Sequence, residues 1–194
     1  MNFSIILFEN FETLDVFGPV EVIGRLNQHY KMEFYSATGG MITSSQGVRV
    51  DTLPLENIKE PGILFIPGGF GIRTEINNTE LVMRIKELAE QAPFVLTVCT
   101  GSALLARTNL LKGLRATSNK LSFDWVTGQD PDVHWVKQAR WVVDGKYYTS
   151  SGVSAGIDMT LGFVADTLRK EMAHNIAKSI EYIWNEDPDN DPFA

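Results

Sequence analysis

The chain has 194 residues, of which 44% are hydrophobic and 21% charged, and its formal net charge is -7. This length fits one domain with a full core. The negative balance, offset by no basic cluster, argues against a nucleic-acid partner held by the general field.

The opening residues, Met1-Asn2-Phe3-Ser4, lack the basic region and apolar run of a signal peptide. No stretch is long and apolar enough for a membrane span. A single cysteine excludes an internal disulfide and suits a reducing, cytoplasmic setting. Residues 3–8 predict a buried strand and 9–14 a loop. Residues 15–23 then lead into a helix whose stripe is Val16, Val20, Ile23 and Leu26. Pro19 is tolerable there if it falls in the first turn. A second strand is expected at 31–37, and a small hairpin from 41–44 and 48–50 around Gln46-Gly47.

Residues 62–66 read as a third core strand, ending in Pro67-Gly68-Gly69-Phe70-Gly71. Three glycines in five residues free a backbone to approach something closely or to present its N–H groups, although a plain flexible turn has the same composition. Residues 79–91 predict an amphipathic helix with Leu81, Val82, Ile85 and Leu88 inward. Residues 93–106 begin as a β-branched apolar run and continue as small residues and leucines, which places Cys99 at a strand-to-helix turn. That arrangement resembles a nucleophile elbow. The dipole and free N–H groups of a new helix predict a depressed thiol pKa. The competing reading is an inert core cysteine.

Gly113 closes this region, 115–118 form a short strand or loop, and 119–127 predict another helix. Residues 139–143 and 146–150 flank Asp144-Gly145, a two-residue hairpin signal. Residues 151–158 open a long helix with Ser154 as N-cap. A last helix is expected at 172–184, followed by an acidic, proline-containing tail at 185–194.

Strands alternating with helices predict a single-domain α/β fold, a mostly parallel sheet with helices on both faces. Ligands of such sheets bind beyond the carboxyl ends of the strands. The loop before Asp15, the 67–71 loop and Cys99 all lie at such ends. A thiol, a carboxylate and N–H donors are the parts needed for covalent attack on an unsaturated carbon. Asp15 has a competing reading as a helix cap, and Thr100 as a residue contributing only its backbone.

Four segments, Leu14-Asp15-Val16-Phe17-Gly18-Pro19, Ile66-Pro67-Gly68-Gly69, Val98-Cys99-Thr100-Gly101-Ser102 and Ser151-Gly152-Val153-Ser154-Ala155-Gly156-Ile157-Asp158, resemble the ThiJ/PfpI superfamily in this order and spacing. That superfamily is flavodoxin-like and related to class I glutamine amidotransferases. An aspartate before Gly-Pro together with Cys-Thr-Gly-Ser is most similar to its isonitrile-hydrating members. The resemblance implies addition of water to a small isonitrile to give an N-substituted formamide, with no metal and no cofactor. It also implies a homodimer.

By the same resemblance, Cys99, Asp15 and Thr100 take the catalytic positions, with Cys99 as attacking thiolate and Asp15 as proton donor. The N–H groups of Gly69 and Thr100 form an oxyanion-type pocket, and Gly68, Phe70 and Gly152 contribute to substrate binding. Phe17, Phe70 and Ile72 are candidate pocket linings. The other activities it leaves open are glyoxalase- or deglycase-like action, another small-molecule hydrolysis, and non-enzymatic ligand or redox sensing. Some relatives are fused to a helix-turn-helix regulator, and no such segment is read after Trp184. Many members carry histidine where this chain has Asn119, and His29, His134 and His174 have no motif around them. Cys-His peptidase chemistry is therefore not expected.

Overall fold

Strand β1 (Asn2–Ile6) lies mid-sheet because both of its faces are suited to burial. Phe3, Ile5 and Ile6 are fully buried, and the Ser4 hydroxyl is sealed by donating to Pro61 O at 2.9 Å. The computed structural model describes residues 1–194. In chain order, the other strands of the main sheet are β2 (Lys31–Ser36), β3 (Gly40–Thr43), β4 (Arg49–Pro54), β5 (Ile63–Ile66) and β6 (Phe94–Thr97). After β7 (Arg115–Ala116) and β8 (His134–Trp135), which form a separate parallel pair, come β9 (Trp141–Asp144) and β10 (Tyr147–Ser150).

The sheet order is β3-β4-β2-β1-β5-β6-β10-β9. The six inner strands run parallel, and β3 and β9 close the two edges antiparallel. Both edge pairs are the hairpins expected around Gln46-Gly47 and Asp144-Gly145. Every residue of β5 is buried, and so are all but Phe94 of β6, so both sheet faces are covered. Helices α1 (Thr13–Gly24), α6 (Ala155–Thr167) and α7 (Lys170–Ser179) pack as one group. Helices α2 (Ile72–Glu75), α3 (Thr79–Gln91), α4 (Gly101–Ala106) and α5 (Phe123–Thr127) form another, with α4 at its centre. One contiguous apolar cluster joins both groups to the sheet, which makes a single domain.

Four expectations are corrected. Helix α1 begins at Thr13, so Pro19 lies in its interior and not in its first turn. An interior proline forfeits one backbone bond, yet Gly18 and Pro19 are buried against Ile157 and Gly156 of α6, and that packing holds the helix. The helix expected at 119–127 shrinks to α5 because Asn119 Oδ1 accepts the Ser122 N–H at 3.0 Å, a local turn that competes with helix. Ser154 stands at the N-cap position of α6 without capping it.

The last helix runs from Lys170 to Ser179, and the segment after it is no free tail. Three groups turn back onto Asp158, whose Oδ1 receives Tyr182 Oη and Asn185 N, each at 3.0 Å, and whose carbonyl receives Trp184 Nε1 at 3.1 Å. Further along, Pro188 O accepts Arg140 N at 2.7 Å, and buried Asp191 sits between Arg140 and Lys120. Residues 182–191 therefore form a strap.

Candidate active site

The site is built where β1, β5, β6 and β10 end. Strand β6 leads through Val98 into Cys99, whose φ of 57° lies in the left-handed region that a cysteine rarely adopts. Such a conformation costs on the order of 1–3 kcal/mol and persists only where its surroundings impose it. Here Cys99 N donates to Ser151 O at 3.0 Å, while Cys99 O accepts both Ser118 Oγ at 2.7 Å and Ser102 Oγ at 3.1 Å. Gly101 completes the elbow, since a Cβ there would run into the carbonyls of Ile66 and Pro67. The elbow is the one the sequence predicts.

Asp15 reaches the elbow from the first turn of α1. It does not cap its own helix: Oδ2 accepts the Gly68 N–H from the opposite loop at 2.9 Å. Gly68 has no side chain because a Cβ would lie 2.7 Å from Thr100 Oγ1 and 2.9 Å from Asp15 Oδ2. Thr100 uses its side chain as well as its backbone: Oγ1 accepts Gly69 N–H at 3.1 Å. The Gly69 N–H, expected to face a developing anion, is thus bonded to Thr100. The N–H groups that favour a thiolate at Cys99 are those of Thr100 and Val153.

Electrostatically, Asp15 and Cys99 constrain each other. Burial raises the Asp15 carboxyl to about 7, the nearby Glu12 charge adds to this, and the Gly68 and Cys99 hydrogen bonds only partly offset it. Burial and the charge of Asp15 push the Cys99 thiol well above its ordinary range, against the two N–H groups and the Thr100 hydroxyl. This reverses the depressed pKa expected from the helix start. The six-residue α4 offers local N–H groups, but the thiol of a cysteine only 6% exposed beside a carboxylate loses more in hydration than they return. The resting group is therefore a thiol beside a carboxyl that is half protonated near neutrality.

Cys99, Thr100, Gly69 and Phe70 share a cleft of about 300 Å³. Its remaining walls are Glu12, Arg73, Asn119, Leu121, Ser122, Trp125 and Val153. Among the expected residues, Gly68 and the fully buried Asp15 lie behind the wall, Asp15 next to the Cys99 elbow. Gly152 lines an adjoining cavity, where its missing side chain makes room for the Asn119 amide. Ile72 is fully buried in the core and Phe17 packs against it, so neither lines the cleft. No histidine lines it either. Glu12, Arg73 and Trp125 were not legible as site residues, because ordinary helix and loop residues give no local signal of converging on a distant cysteine. A cavity of about 380 Å³ near Trp141 and Trp184 has no cysteine, serine or threonine in its wall.

The class is that of α/β proteins with a doubly covered, mostly parallel sheet and a strand-to-helix elbow, here occupied by a cysteine beside a buried carboxyl. The chain belongs to the DJ-1/PfpI family, whose model matches residues 1–166. It is 29% identical to isonitrile hydratase of Pseudomonas putida over 185 residues, covering 94% of this chain and 78% of that protein. It is 28% identical to the HTH-type transcriptional regulator CdhR of Pseudomonas aeruginosa, spanning 91% of this chain but 54% of the regulator. Among solved structures, a ThiJ/PfpI family protein from Pseudomonas syringae superposes with a TM-score of 0.85 at 26% identity, covering 95% of this chain and 76% of that one.

Proposed function

We propose that the protein hydrates a small isonitrile to an N-substituted formamide by covalent catalysis at Cys99. The observation that carries this reading is the fully buried Asp15 carboxyl beside the Cys99 elbow, held by one Gly68 N–H at 2.9 Å; burial raises it to about 7. An isonitrile carbon must gain both a nucleophile and a proton, and this pair holds both. As Cys99 Sγ bonds to the terminal carbon, Asp15 takes the thiol proton and delivers it to that carbon, giving a thioimidate. Asp15 carboxylate then takes a proton from water as the water oxygen adds to the same carbon, and passes that proton to the imine nitrogen; the remaining hydroxyl proton goes to sulfur in the next step. The C–S bond breaks, the formamide carbonyl forms, and the sulfur recovers its proton. The net change is addition of one water. Unlike attack by a preformed thiolate, this route suits a thiol with a raised pKa.

A ligand-sensing reading is supported by the similarity to a transcriptional regulator. Turnover separates the two: purified protein is assayed against isonitriles, methylglyoxal and small amides, with Cys99→Ser as control. Cys99-dependent formamide release supports hydration; release of lactate from methylglyoxal would support the glyoxalase alternative. No turnover with any of them sinks the enzyme readings. A homodimer is part of the proposal, as the family resemblance implies. A monomer mass by light scattering at micromolar concentration would remove that part.

A further inference from the structure

We propose that Arg73 recognises an anion in the Cys99 cleft, so that the preferred substrate carries a carboxylate at the far end of an apolar body. The identity of the reacting group rests on the hydratase reading above; the anion preference is tested without it.

Arg73 stands on the short helix α2, just after the loop that frames Cys99. Its guanidinium lies over the Trp125 ring, 4.3 Å from the centroid. Stacking restrains the long side chain and leaves the planar N–H edge available for a ligand. That edge has no protein partner: Arg73 joins none of the ion pairs, and its side chain donates no hydrogen bond. In a chain with 24 acidic and 17 basic side chains, an unpaired guanidinium at a cleft is not explained by a shortage of acids.

The cleft has one other charged wall residue, Glu12. Both Glu12 oxygens accept Gln46 Nε2, at 3.0 and 3.1 Å, which turns that carboxylate toward the β3–β4 hairpin. Phe70, Leu121, Trp125 and Val153 supply apolar wall in the cleft that also holds the thiol and Arg73. A ligand entering thus meets a thiol, an apolar passage and one free planar cation. A guanidinium fork matches a carboxylate in a two-bond geometry. The Glu12 charge in the same cleft disfavours a dianion, which selects carboxylate over phosphate.

The test compares kcat/KM for 4-isocyanobenzoate and its methyl ester in the parent protein, Arg73→Gln and Arg73→Lys. The expected preference for the carboxylate is about 10-fold, the scale of a charge-assisted pair at a partly exposed site. It falls to near parity in Arg73→Gln and is partly kept in Arg73→Lys. A preference near one in the parent, or one unchanged in Arg73→Gln, overturns the proposal while leaving the hydratase reading intact. The second readout is protection of Cys99 from iodoacetamide at pH 9 by benzoate against benzamide. Selective protection by benzoate that Arg73→Gln abolishes supports the proposal even if no isonitrile is turned over. Equal protection by the two, or protection unchanged in Arg73→Gln, overturns it.

Discussion

Gly68 donates its backbone N–H to Asp15 Oδ2 at 2.9 Å, and no other backbone amide reaches that fully buried carboxyl. Oδ1 is left without a partner of its own. One amide cannot replace the hydration of a carboxylate, so the carboxyl titrates near neutrality with the Cys99 thiol against it. The candidate chemistry follows from this single under-solvated group.

Asp15→Asn separates activity from stability. The variant keeps the shape and an acceptor for Gly68 N–H but cannot move a proton, so turnover falls by at least ~10²-fold. Stability moves the other way. The folded pKa of about 7 lies above the ordinary 3.8. The contribution of Asp15 is therefore fully present below about pH 4 and is lost as pH rises through about 7. Asparagine escapes this loss, by at most roughly 4 kcal/mol at 1.36 kcal/mol per pK unit. Thermal melts at pH 5 and 8 should show the variant gaining on the parent as pH rises. A variant less stable at both, with its rate retained, would identify Asp15 as structural.

Turnover itself should rise with pH and level off above about 7, because Asp15 must be ionised to take the thiol proton. Alkylation of Cys99 near neutrality should be slower than that of an unperturbed thiol. Asp15→Asn should speed it by removing the charge that holds the thiol protonated. Rates of iodoacetamide labelling between pH 6 and 10 measure both; fast labelling at pH 6 in the parent would show a preformed thiolate.

Ser118 holds the elbow. Its buried hydroxyl donates to Cys99 O at 2.7 Å, and Ser102 shares that acceptor. Ser118→Ala should cost about 1 kcal/mol, since the carbonyl keeps its second donor. It should also lower kcat by roughly 10-fold, since small displacements of a nucleophile are expensive. Denaturant melts and single-turnover rates test this, and an unchanged kcat would show that the elbow is held by its backbone alone.

Asp158 is an anchor for the strap. Its carboxylate pairs with Arg140 at 2.6 Å, and both side chains are buried. Asp158→Ala leaves a buried guanidinium short of a partner, a loss of roughly 3–5 kcal/mol. It also removes the acceptor for Tyr182 and Asn185. Limited proteolysis should then cut within residues 182–194 far faster than in the parent. Equal cutting rates would place the anchor at Pro188 and Asp191 instead.

Peptidase activity should be negligible, because Cys-His amide cleavage needs a histidine beside the thiol and none lines the cleft. The Asn119 side chain accepts from Ser122 N and packs against Gly152. Cleavage of peptide amides well above a Cys99→Ala background would show that another base serves.

Periodicity alone carries the alternating strands and helices, both hairpins and the bounds of α3, because each reports local pairing or a single buried face. The elbow at Cys99 is equally legible: an apolar strand meeting small residues leaves one place for the turn. The errors fall where distant contacts decide. Pro19 stays inside a helix because α6 packs on it, and residues 182–191 become a strap because Asp158 and Arg140 offer buried partners far away in sequence.

Residue order was enough to specify the parallel α/β sheet, the elbow and the gathering of Asp15, the 67–71 loop and Cys99 at one edge, since topology brings strand ends together. It was not enough to specify the protonation of the pair or the wall of the cleft. The dipole of the new helix pointed the wrong way for the thiol, because burial depth and the separation of two charges are properties of the packed molecule. Packing made desolvation outweigh the N–H groups of Thr100 and Val153. Packing also set Arg73 on Trp125 in the wall of the same cleft, a meeting of two elements that no local pattern encodes.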